Sequence, residues 1–441
     1  MLASSFRAGT MIETKGASPS PQGAPGGRPR GVRKQRAIKR PTASQGMESR
    51  NRSTAPLLQR IETSSKLRPQ PHPGASPTSE PTLGVREKAD TSTDSTVMSL
   101  HPKDARAEFP ILKTHTYLNS CSLGALSYRA EGYLDEFRQR WHTMGASAWY
   151  EHWLGRTALL RSRVEIFLGG AQGSVALVPS TSAAISTVAE SVQTAVNAGR
   201  NRVVCSELDF PTLGYQWAVK PEIEVVVLSS PDGIGMDPGQ FADAVDERTL
   251  FLATSHVFFA TGFVQDIGRL AEIAHDSGAY CLIDGYHGAG QLSFSVTDTG
   301  VDFYTAGPLK WLCGGPGLSY LYVCPGLIPE LHPRITGWFG ARNAFDFDIR
   351  DFQPHDDARR FEMGTPALPT VHTALGGQEI IDEVGMDAIE ARNRALTDQL
   401  LAGCHDAGFR LTIAADPGHR SAIVMVQHPN PPDAVAHLAK A

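Results

Sequence analysis

The sequence predicts an α/β fold built on a mostly parallel sheet, with a smaller α+β region toward its C-terminal end. Three observations carry this. Short apolar or β-branched runs ("RVVCSEL", "IEVVVLS", "LFLATSHV", "AYCLIDG") recur between residues 202 and 285. Helical patterns such as "PGQFADAVDER" and "DIGRLAEIAHDSG" separate several of them, and strands that alternate with helices form a parallel sheet with crossovers. After Pro369 the texture changes: the helical pattern "TALGGQEIIDEVGMDAIEARNRALTDQLLAGCHDAG" leads to one strand, "SAIVMVQH", and a short helix, "PPDAVAHLAKA".

Taken in order, the chain divides into a tail at 1–100, a large domain at 101–370 and a small domain at 371–441. Of the tail, residues 1–97 hold 16 Lys and Arg against 7 Asp and Glu, 11 of the 30 prolines, and Phe6 as their one aromatic. Such a stretch cannot bury enough apolar surface to fold and reads as disordered. Its Ser- and Arg-rich start is compatible with an organellar transit peptide, and "RPRGVRKQRAIKR" with an anionic partner. A solvated appendage, with Met98 as an alternative start, is the preferred reading. The rest of the chain is acidic, which argues against nucleic acid as the main partner. No apolar run approaches the ~20 residues of a membrane span. The six cysteines, at 121, 205, 281, 313, 324 and 404, show no CxxC pairing. That argues against a zinc site or disulfide framework and points to a reducing, cytoplasmic setting.

Ligands of open α/β sheets gather at the carboxyl ends of strands, so the polar residues there are the candidates. In "VPSTSAAIS" a strand ends at Val178 and Ser180 and Thr181 open a helix, which suits an anion such as phosphate or ordinary capping. "SELDFPTLGY" places Phe210 and Thr212 after a strand, where an aromatic can stack on a planar ligand or join the core. "LATSHVFFATG" places Ser255, and "CLIDGYHGAGQL" places Asp284 with His287 three residues on. A buried carboxylate needs a cation or donors. Lys310 in "VDFYTAGPLKWLCGGPGLSYLYV" has no charged neighbour from Phe303 to Val323. By itself it is either a snorkelling lysine or a desolvated amine nucleophile. Together, a phosphate cradle, an aromatic, a carboxylate and a lysine match what pyridoxal 5'-phosphate needs: a lysine for its aldehyde, a carboxylate for its ring nitrogen and a helix N-terminus for its phosphate.

The same motifs, from Tyr117 to Thr365, resemble the class V aminotransferase-like enzymes of fold-type I, and within them the kynureninase branch. Epimerases of isopenicillin N and cysteine desulfurases stand nearby. "KWLCGGPG" resembles the segment of the Schiff-base lysine and "LIDGYH" the strand of the ring-nitrogen carboxylate. The resemblance therefore implies Lys310 and Asp284 as catalytic residues. It implies Ser180, Thr181, Phe210, Thr212, Ser255 and His287 as cofactor contacts. "GWFG" and "FEMGTP" imply Trp338 and Thr365 at the cofactor of a partner subunit, hence a homodimer. "YLNSCSLG" implies Ser122 as a substrate contact. Leu309 departs from the tyrosine usual in kynureninases. The arginine that binds the substrate carboxylate in the family falls beyond Ala441, so the small domain reads as incomplete, with Arg360 or Arg359 as a replacement. The expected activity is kynureninase-like hydrolytic carbon–carbon cleavage of an amino acid. Transamination, epimerisation, desulfuration and an inactive cofactor-binding relative are the alternatives.

Overall fold

The computed structural model describes residues 100–439; the stretch read as a disordered tail lies outside the described residues. The central sheet has seven strands: β1 (Val175–Val178), β2 (Arg202–Ser206), β3 (Glu224–Leu228), β4 (Thr249–Ser255), β5 (Tyr280–Asp284), β6 (Phe303–Ala306) and β7 (Ser319–Val323). Their order is β1-β7-β6-β5-β4-β2-β3. The pairs from β6 across to β3 are parallel, and β7 runs antiparallel to both neighbours. The sequence is apolar along β1 and most of β4 because both faces of these strands are covered. Alternate side chains serve two cores. Val204, Leu252, Ile283 and Tyr304 point into one; Val203, Phe251, Leu282 and Phe303 point into the other.

The parallel direction puts the carboxyl ends of β4, β5 and β6 side by side. Ser255 pairs in register with Asp284, and Asp284 with Thr305. The chain leaves β6 at Gly307 and makes a turn over residues 308–312 before returning as β7. That turn carries Lys310.

Two elements differ from the sequence expectation. The long helical pattern after Pro369 is two helices, Leu368–Val384 and Met386–Asp406, because Gly385 between them takes a positive φ of 80° that ends the first. The strand expected over "SAIVMVQH" shortens to β9 (Met425–Gln427), paired antiparallel with β8 (Arg410–Thr412). In the Leu368–Val384 helix, Gly376 and Gly377 allow close approach. A Cβ at Gly376 would lie 2.4 Å from the Ala130 nitrogen, and one at Gly377 would lie 2.1 Å from the Leu312 carbonyl oxygen.

Glycine to alanine normally favours a helix by up to ~1 kcal/mol. Gly403, with open space around it, should obey: G403A raises the melting temperature. G377A should do the reverse and cost about 1–3 kcal/mol through overpacking, because the alanine methyl meets backbone of the lysine turn. Thermal melts of the two variants decide the sign.

Candidate functional site

A cavity of about 230 Å³ opens at the carboxyl ends of β4 and β5 and over the lysine turn. Its lining includes Ser180, Thr181, Phe210, Thr212, Ser255, Asp284, His287 and Lys310. The structure therefore brings together eight residues that the sequence places on five separate segments.

The anion-binding end is the helix Thr181–Ser191. Ser180 caps it, its hydroxyl oxygen accepting from the Ala183 nitrogen at 3.2 Å. The first amides of any helix have no intrahelical acceptor, which leaves those of Thr181 and Ser182 for an anion. Ser319 donates to the Ala306 oxygen at 2.5 Å, so the Thr181 hydroxyl, 3.1 Å away, donates to Ser319. Thr181 thus serves an anion through its backbone. The Ser182 and Thr212 hydroxyls lie 3.3 Å apart and join this cradle to the loop that carries Phe210.

The opposite end holds two buried ionisable groups. Asp284 Oδ1 accepts from the Tyr286 nitrogen at 3.0 Å and the Thr305 hydroxyl at 3.4 Å. Burial pushes its carboxyl up; the Tyr286 amide, the Lys310 charge and the Thr305 hydroxyl act against that. Burial also pushes the Lys310 amine down, opposed by the charge of Asp284. Lys310 Nζ lies 5.1 Å from the centre of the Tyr286 ring and 5.9 Å from that of Phe210. Phe210 in turn meets Phe259 edge-on at 5.3 Å.

The protonation of Lys310 follows from its neighbour. His287 Nε2 is 2.6 Å from Lys310 Nζ, and the Trp311 indole donates to His287 Nδ1 at 3.4 Å. An indole N–H can only donate, so Nδ1 carries a lone pair. Burial holds His287 well below its usual range, so the ring is neutral and its proton sits on Nε2. That proton points at the lysine, which receives it only as a neutral amine. A lone-pair amine is the form that condenses with an aldehyde. The cradle, the buried carboxylate and this amine fit pyridoxal phosphate.

Ser122, Trp338, Thr365 and Arg360 are not among the cavity's lining residues. The loop of Ser122 does reach the lysine turn: the Gly124 nitrogen donates to the Leu309 oxygen at 2.8 Å, and a Cβ at Gly124 would collide with the Lys310 carbonyl oxygen. Trp338 is 38% exposed and packs on Phe339, Phe345 and Phe347. The segment before Thr365 is anchored by buried Glu362, which accepts from Arg161 at 2.8 Å and from the Leu177 nitrogen at 3.0 Å. Arg360 corrects an expectation. Its guanidinium is buried and donates to the carbonyls of His355, Ile328 and Leu331, so it clamps two backbone segments instead of offering a cation to a substrate. Arg359 is paired with Asp357 at 2.7 Å.

Sequence reasoning missed Val257, Phe259 and Tyr286 as cavity residues. Tyr286 was findable, since it stands between Asp284 and His287 on one short turn. Its partner was not: a Cβ at Gly307 would lie 2.5 Å from the Tyr286 ring, so the ring occupies space that only a glycine leaves open.

The Aminotransferase class-V family model matches residues 134–438. An uncharacterized aminotransferase of Bacillus subtilis, YcbU, is 31% identical over 74% of this chain and 85% of its own length. A kynureninase of Geobacillus thermodenitrificans is 26% identical over 73% of this chain and 76% of its own. Among solved structures, an apo cysteine desulfurase from Thermococcus onnurineus superposes with a TM-score of 0.69 at 18% identity, covering 77% of this chain and 86% of that one. A C-DES variant with glycine covalently linked to its PLP cofactor gives 0.63 at 18% identity, covering 71% and 84%.

Two variants test the site. K310A should abolish coupling of the protein to the aldehyde of pyridoxal phosphate, read as visible absorbance. D284N removes the charge that favours the Lys310 ammonium, so the amine stays neutral to lower pH. The pH profile of coupling should then move to lower pH, and an unmoved or upward-shifted profile would show that the two groups do not interact.

Proposed function

The chain belongs to the class V aminotransferase family of pyridoxal-phosphate-dependent enzymes, and from that premise we propose that it hydrolyses a carbon–carbon bond in a kynurenine-like amino acid. The observation that carries this reading is the Lys310 amine, pushed down by burial and 2.6 Å from His287 Nε2, beside an apolar wall of Phe210, Val257, Phe259 and Leu309. Such a wall suits a side chain that ends in an aryl ketone.

When bound, the cofactor supplies an electron sink for the charge that develops at the substrate Cα. Lys310 Nζ takes the Cα proton, being an amine already desolvated and neutral. His287 Nε2, 2.6 Å from that nitrogen, positions the amine, which must leave this hydrogen bond to take the proton. Asp284 would hold a proton on the ring nitrogen and so keep the sink effective. Phe210 would cover the ring, and Ser180 with the free amides of the Thr181–Ser191 helix would hold the phosphate. In the net reaction the bond from Cβ to the acyl carbon breaks, water gives its hydroxyl to the acyl carbon, and Cβ receives a proton. The products are an aryl acid and alanine.

Amino transfer or epimerisation is the second reading. It needs only proton movement at Lys310, and it is favoured by the aminotransferase name of the 31% identical relative and by Leu309. Desulfuration needs a mobile thiol at the substrate. No cysteine lines the cavity, and Cys313 is half-buried with its thiol pushed up to about 12 by desolvation. The working unit in this reading is a homodimer. An exposed apolar edge of Trp338, Phe345, Phe347, Ile349 and Phe352 supports it, since a patch of this kind marks an interaction surface.

Incubation of cofactor-loaded protein with L-kynurenine should release alanine and an aryl acid in equal amounts. A keto acid or the D-isomer as product would replace the hydrolase by the second reading. Light scattering should give twice the chain mass, and W338A should lower both the dimer fraction and cofactor retention.

A further inference from the structure

Asp209 precedes Phe210 and is fully buried, yet the proposed mechanism leaves it idle. Its partners have fixed polarity. Oδ2 accepts from the Ser206 nitrogen at 2.8 Å. Oδ1 accepts from the Thr254 hydroxyl at 2.9 Å and from the Ser255 nitrogen and hydroxyl, both at 2.7 Å. The Gln265 amide donates to Thr254 Oγ1 at 2.9 Å, and an amide NH2 cannot accept. The Thr254 proton is therefore committed to Asp209. So is the single hydroxyl proton of Ser255.

Ser255 lines the cavity. With its proton turned inward to Asp209, it meets a ligand as an acceptor only. It sits in register beside Asp284 on the neighbouring strand. Two acceptors on one rim, the second an anion, match a ligand N–H and reject a bare lone pair. No cation pairs with Asp209 among the described residues; donors alone stabilise its anion. Burial pushes its carboxyl up to about 6, against those four donors, so it remains ionised at neutral pH.

We propose that Asp209 is a positioning residue for the cofactor: it holds Ser255 as a hydrogen-bond acceptor beside Asp284, and the pair selects pyridoxal phosphate with a protonated ring nitrogen. The inference rests on the cofactor assignment and is independent of which reaction follows. In D209N a single neutral carboxamide oxygen replaces two carboxylate oxygens that serve four donors, so the pull that holds the Ser255 proton inward weakens.

The experiment measures dissociation constants of apo-protein for pyridoxal phosphate and for its 1-deaza analogue, which lacks the ring nitrogen. D209N and S255A should each weaken pyridoxal phosphate about tenfold, the scale of one hydrogen bond to a charged group. Each should change the deaza analogue less than about twofold, and the double variant should be no worse than the single ones, as residues acting through one another are non-additive. Equal losses for both ligands, or losses that multiply in the double variant, would make Asp209 a structural residue and overturn the proposal. If D209N does not fold, T254V removes a different donor from the same oxygen while leaving Ser255 in place. Retention of pyridoxal phosphate binding supports the route through Ser255, and a loss equal to that of S255A contradicts it. Wild-type protein that binds neither ligand would instead refute the cofactor assignment itself.

Discussion

The site depends on one constraint: a lysine amine and a carboxylate are desolvated in the same cavity. Burial favours the neutral form of each, and each charge favours ionisation of the other. Geometry decides the outcome for the lysine. Trp311 fixes the tautomer of His287, and His287 Nε2–H can be received only by a lone-pair amine. Burial, which pushes the lysine amine down, and this tautomer of His287 both favour the lone-pair form. The remainder of the fold serves this arrangement. Parallel β4, β5 and β6 deliver Ser255, Asp284 and Thr305 to one rim, and the turn after β6 brings Lys310 back over it.

That turn is held from several sides. Gly124 donates to Leu309, Gly377 leaves room for the Leu312 carbonyl, and Gly307 leaves room for the Tyr286 ring. A side chain added at Gly124 would meet the Lys310 carbonyl oxygen, one at Gly377 the backbone of Leu312 and Cys313, and one at Gly307 the Tyr286 ring. The rigidity of the turn is the counterpart of the reactive amine: the lone pair is useful only where it is aimed.

Much of this was legible in the sequence, and for a physical reason. Chemistry at the ends of parallel strands lies a few residues after an apolar run, so Ser180, Phe210, Ser255, Asp284 and Lys310 each announced themselves by position. What was not legible depended on contacts between distant segments. Arg360 looked like a free cation, but three carbonyls from other parts of the chain enclose it. Asp209 carried no signal in the sequence, because its donors come from Ser206 and from β4. The break at Gly385 lay inside an uninterrupted helical pattern, where only the backbone angle reveals it.

The central claim is that Lys310 is the residue that bonds the cofactor. Borohydride reduction of cofactor-loaded protein, followed by proteolysis and mass spectrometry, tests it directly. The account predicts a pyridoxyl group on the peptide that contains Lys310 and on no other lysine. A label on a different lysine, or a loaded protein that yields none, would contradict it.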